Sequence, residues 1–281
     1  SLHNGWVAGT AIAAINAPAS PALPALEVAP AGAYEVVLRP DPSIGDGSYA
    51  NNGWLQELPK PQTKTTWDNV IYVSPKDAAK LHITLGDMLK VTVNGKSTVG
   101  PAFVLPGTAE NSVTLHFGYG RTASGRVGNR IGYNAYLVQD TASPYLTAGT
   151  IEKTGEHYRI ANVQETQTMA GREPVKAADI TEYREHPDFP TRYEKPVPPG
   201  LTLYPNEWHY PGHKWGMSID LNICTGCSAC IIACQAENNI AVVGKDQVAR
   251  GRHMHWIRVD RYYSGNLDEP EMYNQPVPCM H

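Results

Sequence analysis

The chain has 281 residues and a formal net charge of −4, which gives it length for two domains with cores of their own. So small a charge, with no basic stripe interleaved with aromatics, argues against nucleic acid as a partner. The longest apolar stretches, such as AIAAI at 11–15, fall far short of the roughly 20 residues of a membrane helix. No direct membrane span is expected, and any membrane association would run through partner subunits. The chain opens at Ser1 with no secretory signal, and both of its ends read as incomplete.

Residues 1–67 are rich in Ala, Pro and Gly, and PASPALPALEVAPAGA at 18–33 reads as an extended surface segment. EVVLRP at 35–40 is a strand, and NNGWLQELPKP at 51–61 is turn-rich, packed down through Trp54, Leu55 and Leu58. Residues 68–140 form the clearest globular unit. NVIYVSP is a strand, and KDAAKLHI is a short helix with Ala78, Ala79 and Leu81 facing inward, capped by Ser74 with Pro75 in its first turn. MLKVTVN alternates as a strand, Asn94-Gly95 is a hairpin signal, and STVGPAFVLPG and NSVTLHFGYG add further strands. Short strands, one short helix and tight turns predict a small mixed β-barrel.

The stretch 118–136 carries Gly118, Gly120, Gly125, Gly128 and Gly132 with Arg121, Arg126 and Arg130. A backbone cradle for phosphate is one reading. A loop that needs left-handed turns is the preferred one, because the spacing matches no dinucleotide or P-loop fingerprint. Residues 141–214 read as a polar connector with a short helix around DITEYREH. Its histidines, His157, His186, His209 and His213, have no second ligand at zinc spacing and are expected to be surface or packing residues.

Residues 215–281 carry the chemistry. Cys224, Cys227, Cys230 and Cys234 follow the spacing C-x2-C-x2-C-x3-C in CTGCSACIIAC, the ligand run of bacterial ferredoxins. Two-residue gaps let three thiolates wrap one corner of an iron–sulfur cube, while the fourth cysteine points to a different cluster. Disulfides favour wider separations, zinc favours paired C-x2-C units, and covalent haem needs a histidine where Ser228 stands. Two four-iron clusters would need eight thiolates, and Cys279 is the only other cysteine. A longer protein, or a second chain, is expected to complete the sites. MSIDLNICTGC is expected as a strand entering the ligand loop, ACIIACQAENN as a helix carrying Cys230 and Cys234, and HMHWIRVDRYYSG at 253–265 as a long strand with Trp256, Arg258 and Asp260 on one face. Backbone amides of Thr225, Gly226, Ser228 and Ala229 are natural donors to cluster sulfurs, and Ile223, Ile231 and Ile232 would dry the site.

WGMSIDLNICTGCSACIIACQAENN and the following residues to Gly265 resemble the first cluster-binding segment of the iron–sulfur subunit of bacterial alternative complex III. Proteins of that family fuse a molybdopterin-oxidoreductase-like body to a multi-cluster ferredoxin domain. NNGWLQELPKPQTKTTWDN at 51–69, SPKDAAKLHITLGDMLKVTVNG at 74–95, RTASGRVGNRIGYNAY and RIANVQETQTMAGR at 159–172 resemble the end of that body and the connector beyond it. The resemblance implies an α+β chain: a small double-psi-type β-barrel, similar to the C-terminal domain of molybdopterin oxidoreductases, an extended connector, and an incomplete ferredoxin-like iron–sulfur domain. It implies [4Fe-4S] clusters and a [3Fe-4S] cluster, with the molybdopterin cofactor absent from the body. Cys224, Cys227 and Cys230 would hold one cluster, Cys234 would serve a second, and Cys279 would open the next ligand group. His82 stands where many such barrels have glycine. The implied partners are a multihaem cytochrome c subunit and integral membrane quinol subunits similar to polysulfide reductase. The implied place is the periplasmic face of the inner membrane, relaying electrons from quinol to a periplasmic cytochrome or other carrier, without substrate chemistry in this chain. Two rival readings of the barrel are an active molybdopterin oxidoreductase of polysulfide or tetrathionate type, and a scaffold that only docks the cluster domain.

Overall fold

The computed structural model describes residues 9–10, 33–192, 194, 196–203 and 211–279. Most of the Pro/Ala-rich stretch, over 18–32, lies outside them, as does His209.

Six strands close into a barrel: β1 (Tyr34–Arg39), β3 (Ile71–Val73), β4 (Asp87–Val93), β5 (Lys96–Val104), β6 (Ser112–His116) and β7 (Leu146–His157), with the two-residue β2 (Thr65–Thr66) outside it. Around the barrel the order is β1-β6-β3-β5-β4-β7. Two neighbours run parallel, β1 with β6 (Val36 beside Val113) and β3 with β5 (Ile71 beside Ala102), and the other pairs are antiparallel. The barrel therefore takes two strands from outside the expected span of 68–140. EVVLRP forms the first stave, and LTAGTIEKTGEH, which reads as connector, is the last strand. The polar face of that last strand hides it: six residues from Glu152 onward are exposed, so the apolar alternation that marks a half-buried strand fades.

Alternation decides which side chains fill the interior. Val36 and Leu38 from β1, Leu89, Val91 and Val93 from β4, and Val113 and Leu115 from β6 meet in one buried cluster with Ile71 and Val73. Each fully buried Val or Leu contributes about 2 kcal/mol. The β4–β5 hairpin turns on Asn94 and Gly95, both left-handed, with φ of 48° and 76°. That pair of angles suits the tight turn which matches strand twist. Gly149 lets β7 close the barrel, because a Cβ there would meet Thr92 O at 2.7 Å and Val36 Cγ2 at 2.8 Å.

Between β1 and β2 lies α1 (Gly53–Glu57), in a stretch expected only to turn; Asn52 Oδ1 accepts from Leu55 N at 3.2 Å to start it. Helix α2 (Pro75–Lys80) begins as expected, with Ser74 Oγ accepting from Asp77 N at 3.0 Å and Pro75 in the first turn. Its inward face differs. Ala79 is exposed, and Asp77 is buried beside Ala78. The Asp77 carboxylate accepts from Ser74 Oγ at 2.6 Å, Asn111 N at 2.8 Å and the Tyr34 hydroxyl at 3.2 Å. It thereby ties the helix start to β1 and to the turn before β6. Burial, then Asp77 itself, pushes the Tyr34 hydroxyl up to about 12. His82 follows the helix at φ 52°, so a left-handed turn is kept where a glycine would be usual.

The glycine-rich stretch is a set of turns. Gly118, Gly120, Gly125 and Gly132 have positive φ, and Gly128 packs where a Cβ would meet Ala50 O at 2.6 Å. Arg121 donates to Gly47 O at 2.7 Å, and Arg126 and Arg130 are exposed. Beyond β7 come β8 (Ala161–Asn162), paired with β2, and α3 (Ile180–Glu185), the short helix expected there, whose start Asp179 caps. The last part holds α4 (Ala229–Glu237), α5 (Lys245–Val248) and a hairpin of β9 (Arg258–Ser264) with β10 (Glu271–Val277). Residues 217–227, expected as a strand, run as turns and irregular chain, and the strand expected from 253 begins only at Arg258.

Removing the buried carboxylate in Asp77→Ala leaves three donors without an acceptor. Urea unfolding should show a loss of about 2–4 kcal/mol, whereas a loss below about 0.5 kcal/mol would mean the junction is not structural.

Candidate iron–sulfur site

The cysteine run sits at a loop-to-helix junction. Cys224 and Cys227 lie in the loop, and Cys230 and Cys234 lie one turn apart on α4. The sequence bends the loop at two left-handed residues, Gly226 (φ 68°) and Ser228 (φ 65°). Ser228 precedes the helix without capping it. Its buried hydroxyl donates instead to Pro59 O at 3.1 Å, which pins the loop to the turn after α1. Asn274 of β10 donates to Cys224 O at 3.3 Å, and Cys224 N donates to Asp220 O at 3.1 Å. A Cβ on Gly226 would collide with the Asn274 side chain. The glycine is therefore needed for both its φ and its contact.

Beneath the loop, Ile231 packs with Leu58 and Val259, and Ile232 lies at the edge of the same cluster. Ile223 does not contribute, being 75% exposed. The helix is thus held by an apolar contact to the residue that ends α1 and to β9, while its cysteines stay accessible. Cys227, Cys230 and Cys279 are exposed, and Cys224 and Cys234 are half-buried.

The first three cysteines share one electrostatic neighbourhood. Partial burial pushes the Cys230 thiol up, the backbone amides of Ile231 and Cys230 pull it back, and Cys227 and Cys224 push it up again. Amide donors near the sulfurs are what tunes cluster ligands. Further along α4, Asn238 Nδ2 lies 3.6 Å from the Cys234 sulfur. Cys279 follows β10. Among the described residues, no three His, Cys, Asp or Glu side chains converge into a ready-made metal site. The donor set still fits an iron–sulfur cluster: two thiols on a bent loop, a third in the first turn of the helix that follows, and buried cations close by.

No motif announces that cationic side. Lys64, in the turn that also carries Pro59, and Arg261 of β9 are buried at 1% and 0% exposure. Burial drives the Lys64 ammonium down to about 8, helped by Arg261 and opposed by Asp260, Cys224 and Cys230. Glu57, Asn274 and the pair His253–His255 are equally unmarked in the sequence. Glu57 accepts from Trp67 Nε1 at 3.0 Å, Val243 N at 3.1 Å and Gly244 N at 2.8 Å, joining α1 to the segment before α5. Burial holds His255 down at about 4, with His253 adding to the effect across 5.5 Å between ring centroids. The connector histidines behave as expected where they are described: His157 bonds Leu85 O at 3.0 Å, and His186 closes α3.

Thiols at ferredoxin spacing on a loop pinned to a barrel define an iron–sulfur electron-transfer protein. No family model matches the chain. It is 46% identical, over 68 residues, to the menaquinone reductase iron–sulfur cluster-binding subunit of Nitratidesulfovibrio vulgaris, covering 24% of this chain and 26% of that protein. It is 58% identical, over 26 residues, to the arsenate respiratory reductase iron–sulfur subunit ArrB of Chrysiogenes arsenatis, covering 9% of this chain and 87% of that sequence. The chain belongs to the iron–sulfur subunits of reductase complexes. It spans about a quarter of the length of the menaquinone reductase subunit.

Gly226→Ala should force the loop away from Asn274 and strain φ, at about 1–2 kcal/mol from the backbone alone. Iron per chain after anaerobic purification should fall with it, and unchanged iron content would mean the bend is not needed for ligation.

Proposed function

We propose that the chain is the electron-transfer part of a membrane-associated quinol oxidoreductase of the alternative complex III type. Electrons pass through its clusters between quinol and a periplasmic cytochrome or other carrier. The observation that carries this reading is the ligand run Cys224, Cys227, Cys230 and Cys234 at a bent loop-to-helix junction, in a chain whose relatives include a menaquinone reductase subunit. [4Fe-4S] clusters suit that spacing, and a [3Fe-4S] cluster follows from the resemblance alone.

The barrel supports a double-psi reading through its two parallel pairs, β1 with β6 and β3 with β5. It would be a body without molybdopterin, as the resemblance implies; the glycine-rich stretch forms turns, and Arg121 bonds Gly47 O. Residues 215–281 would form a ferredoxin-like iron–sulfur domain. Cys279 would open its next ligand group. Among the described residues no helix is long and apolar enough to cross a membrane. Contact with quinol would thus fall to integral membrane subunits, with a multihaem cytochrome c subunit as a further partner at the periplasmic face.

When bound, a cluster supplies one-electron storage at a fixed site. The residues of this chain hold it, exclude water with Ile231 and Ile232, and set the field around it. Cys224→Ser, Cys227→Ser or Cys230→Ser should remove or alter one cluster, because serine oxygen is a harder and poorer ligand for iron. Cys234→Ser should disturb a different one, leaving the first largely intact. Low-temperature EPR of the four variants checks this; loss of the same single signal in the Cys227 and Cys234 variants would place all four cysteines on one cluster.

A further inference from the structure

Among the described residues, buried Lys60 sits 2.8 Å from Asp41 and half-buried Lys245 sits 2.6 Å from Asp68. Two buried cations, Lys64 and Arg261, have no such anion. Lys64 Nζ and the Nε, Nη1 and Nη2 of Arg261 are all buried without a hydrogen-bond partner. Arg261 lies over the Tyr263 ring, 4.5 Å from its centroid. Asp260 attracts Lys64, but its two oxygens are already engaged by Arg258 Nε at 3.0 and 3.1 Å. Arg261 is drawn only by the oxygens of Tyr263 and Tyr72.

Two neighbouring cations in a dry interior repel each other and lose their hydration, so each alone is strongly unfavourable. A lasting reason for both is an anion that the chain's own side chains do not supply. The groups that attract Lys64, besides Asp260, are Cys224 and Cys230. The turn bearing Lys64 is the one to which Ser228 bonds, and Asn274, which holds Cys224 O, pairs in the hairpin with Arg261. Cluster loop, Lys64 and Arg261 thus share one bed.

We propose that Lys64 and Arg261 are the built-in counter-charges of the cluster held by Cys224, Cys227 and Cys230, and that they raise its reduction potential. The inference rests on the proposed function, because it needs a cluster at those cysteines. An iron–sulfur cube with thiolate ligands is a net anion, and its potential follows net charge and hydrogen bonding. Reduction adds one electron and one negative charge to the cluster. A lysine in the turn between α1 and β2 then acts on the cluster as a fixed field, which links the oxidoreductase-like body to electron flow without any chemistry of its own.

The test is an EPR-monitored redox titration of the anaerobically purified protein with Lys64→Met, Lys64→Arg and Arg261→Met. Each methionine variant should lower the reduced-to-oxidised ratio at a fixed potential at least tenfold, which is 59 mV for a one-electron couple. Lys64→Arg should stay near the wild type. A cluster signal with an unmoved midpoint in both methionine variants would overturn the proposal. If a methionine variant fails to retain iron, thermal unfolding after iron is removed with a chelator decides. Iron-free Lys64→Met should melt at or above the iron-free wild type, because a lone buried cation is gone; melting well below it would make Lys64 a structural residue and overturn the proposal too. A wild type that holds no cluster would defeat the functional reading itself, and that result is visible without any variant.

Discussion

The cysteine loop and its helix are fixed by the turn from Leu58 to Lys64. Its backbone accepts the Ser228 hydroxyl, its first residue packs on Ile231, and its last carries a buried ammonium into the cysteine loop's surroundings. The turn is itself anchored from the barrel side. Lys60 bonds Asp41 and the Tyr119 hydroxyl, and Lys64 N bonds Lys60 O at 3.0 Å. A short, over-determined segment of this kind fixes the cysteine helix against the barrel far better than a flexible linker could.

The arrangement explains a division of labour. The cysteine loop needs freedom enough to wrap a cluster, and its left-handed bends at Gly226 and Ser228 give it that shape. Precision comes from elsewhere: from Asn274 on the hairpin, from Pro59, and from the apolar contact among Leu58, Ile231 and Val259. Electron relays require held clusters, short gaps and tuned fields, and each of these can be supplied by packing and charge without a reactive side chain. Burial of unpaired cations is costly to the fold alone, and it is offset once an anionic cluster lies beside them.

Much of this is legible in residue order alone, and the limits are physical. The spacing of the cysteine run, the Ser74 cap, the short helix after Asp179 and the Asn94-Gly95 hairpin depend on local chemistry, and local chemistry is what a sequence carries. Strand β7 is hidden because its outer half is polar, and α1 because five residues make too little periodicity to see. Asp77 turns inward where Ala79 is the expected residue, since a carboxylate with three donors can be buried as comfortably as a methyl. Lys64 and Arg261 lie nearly two hundred residues apart in the chain. No spacing rule links them, and only the docking of β9 beside the 58–64 turn brings their charges together.

The claim that barrel turn and cysteine loop form one unit around the cluster is tested most directly by hydrogen–deuterium exchange of the protein with and without iron. Iron should slow exchange in two separate segments, the backbone of residues 58–65 and that of residues 224–237, by similar factors. Protection confined to 224–237, with the barrel turn exchanging as before, would contradict it.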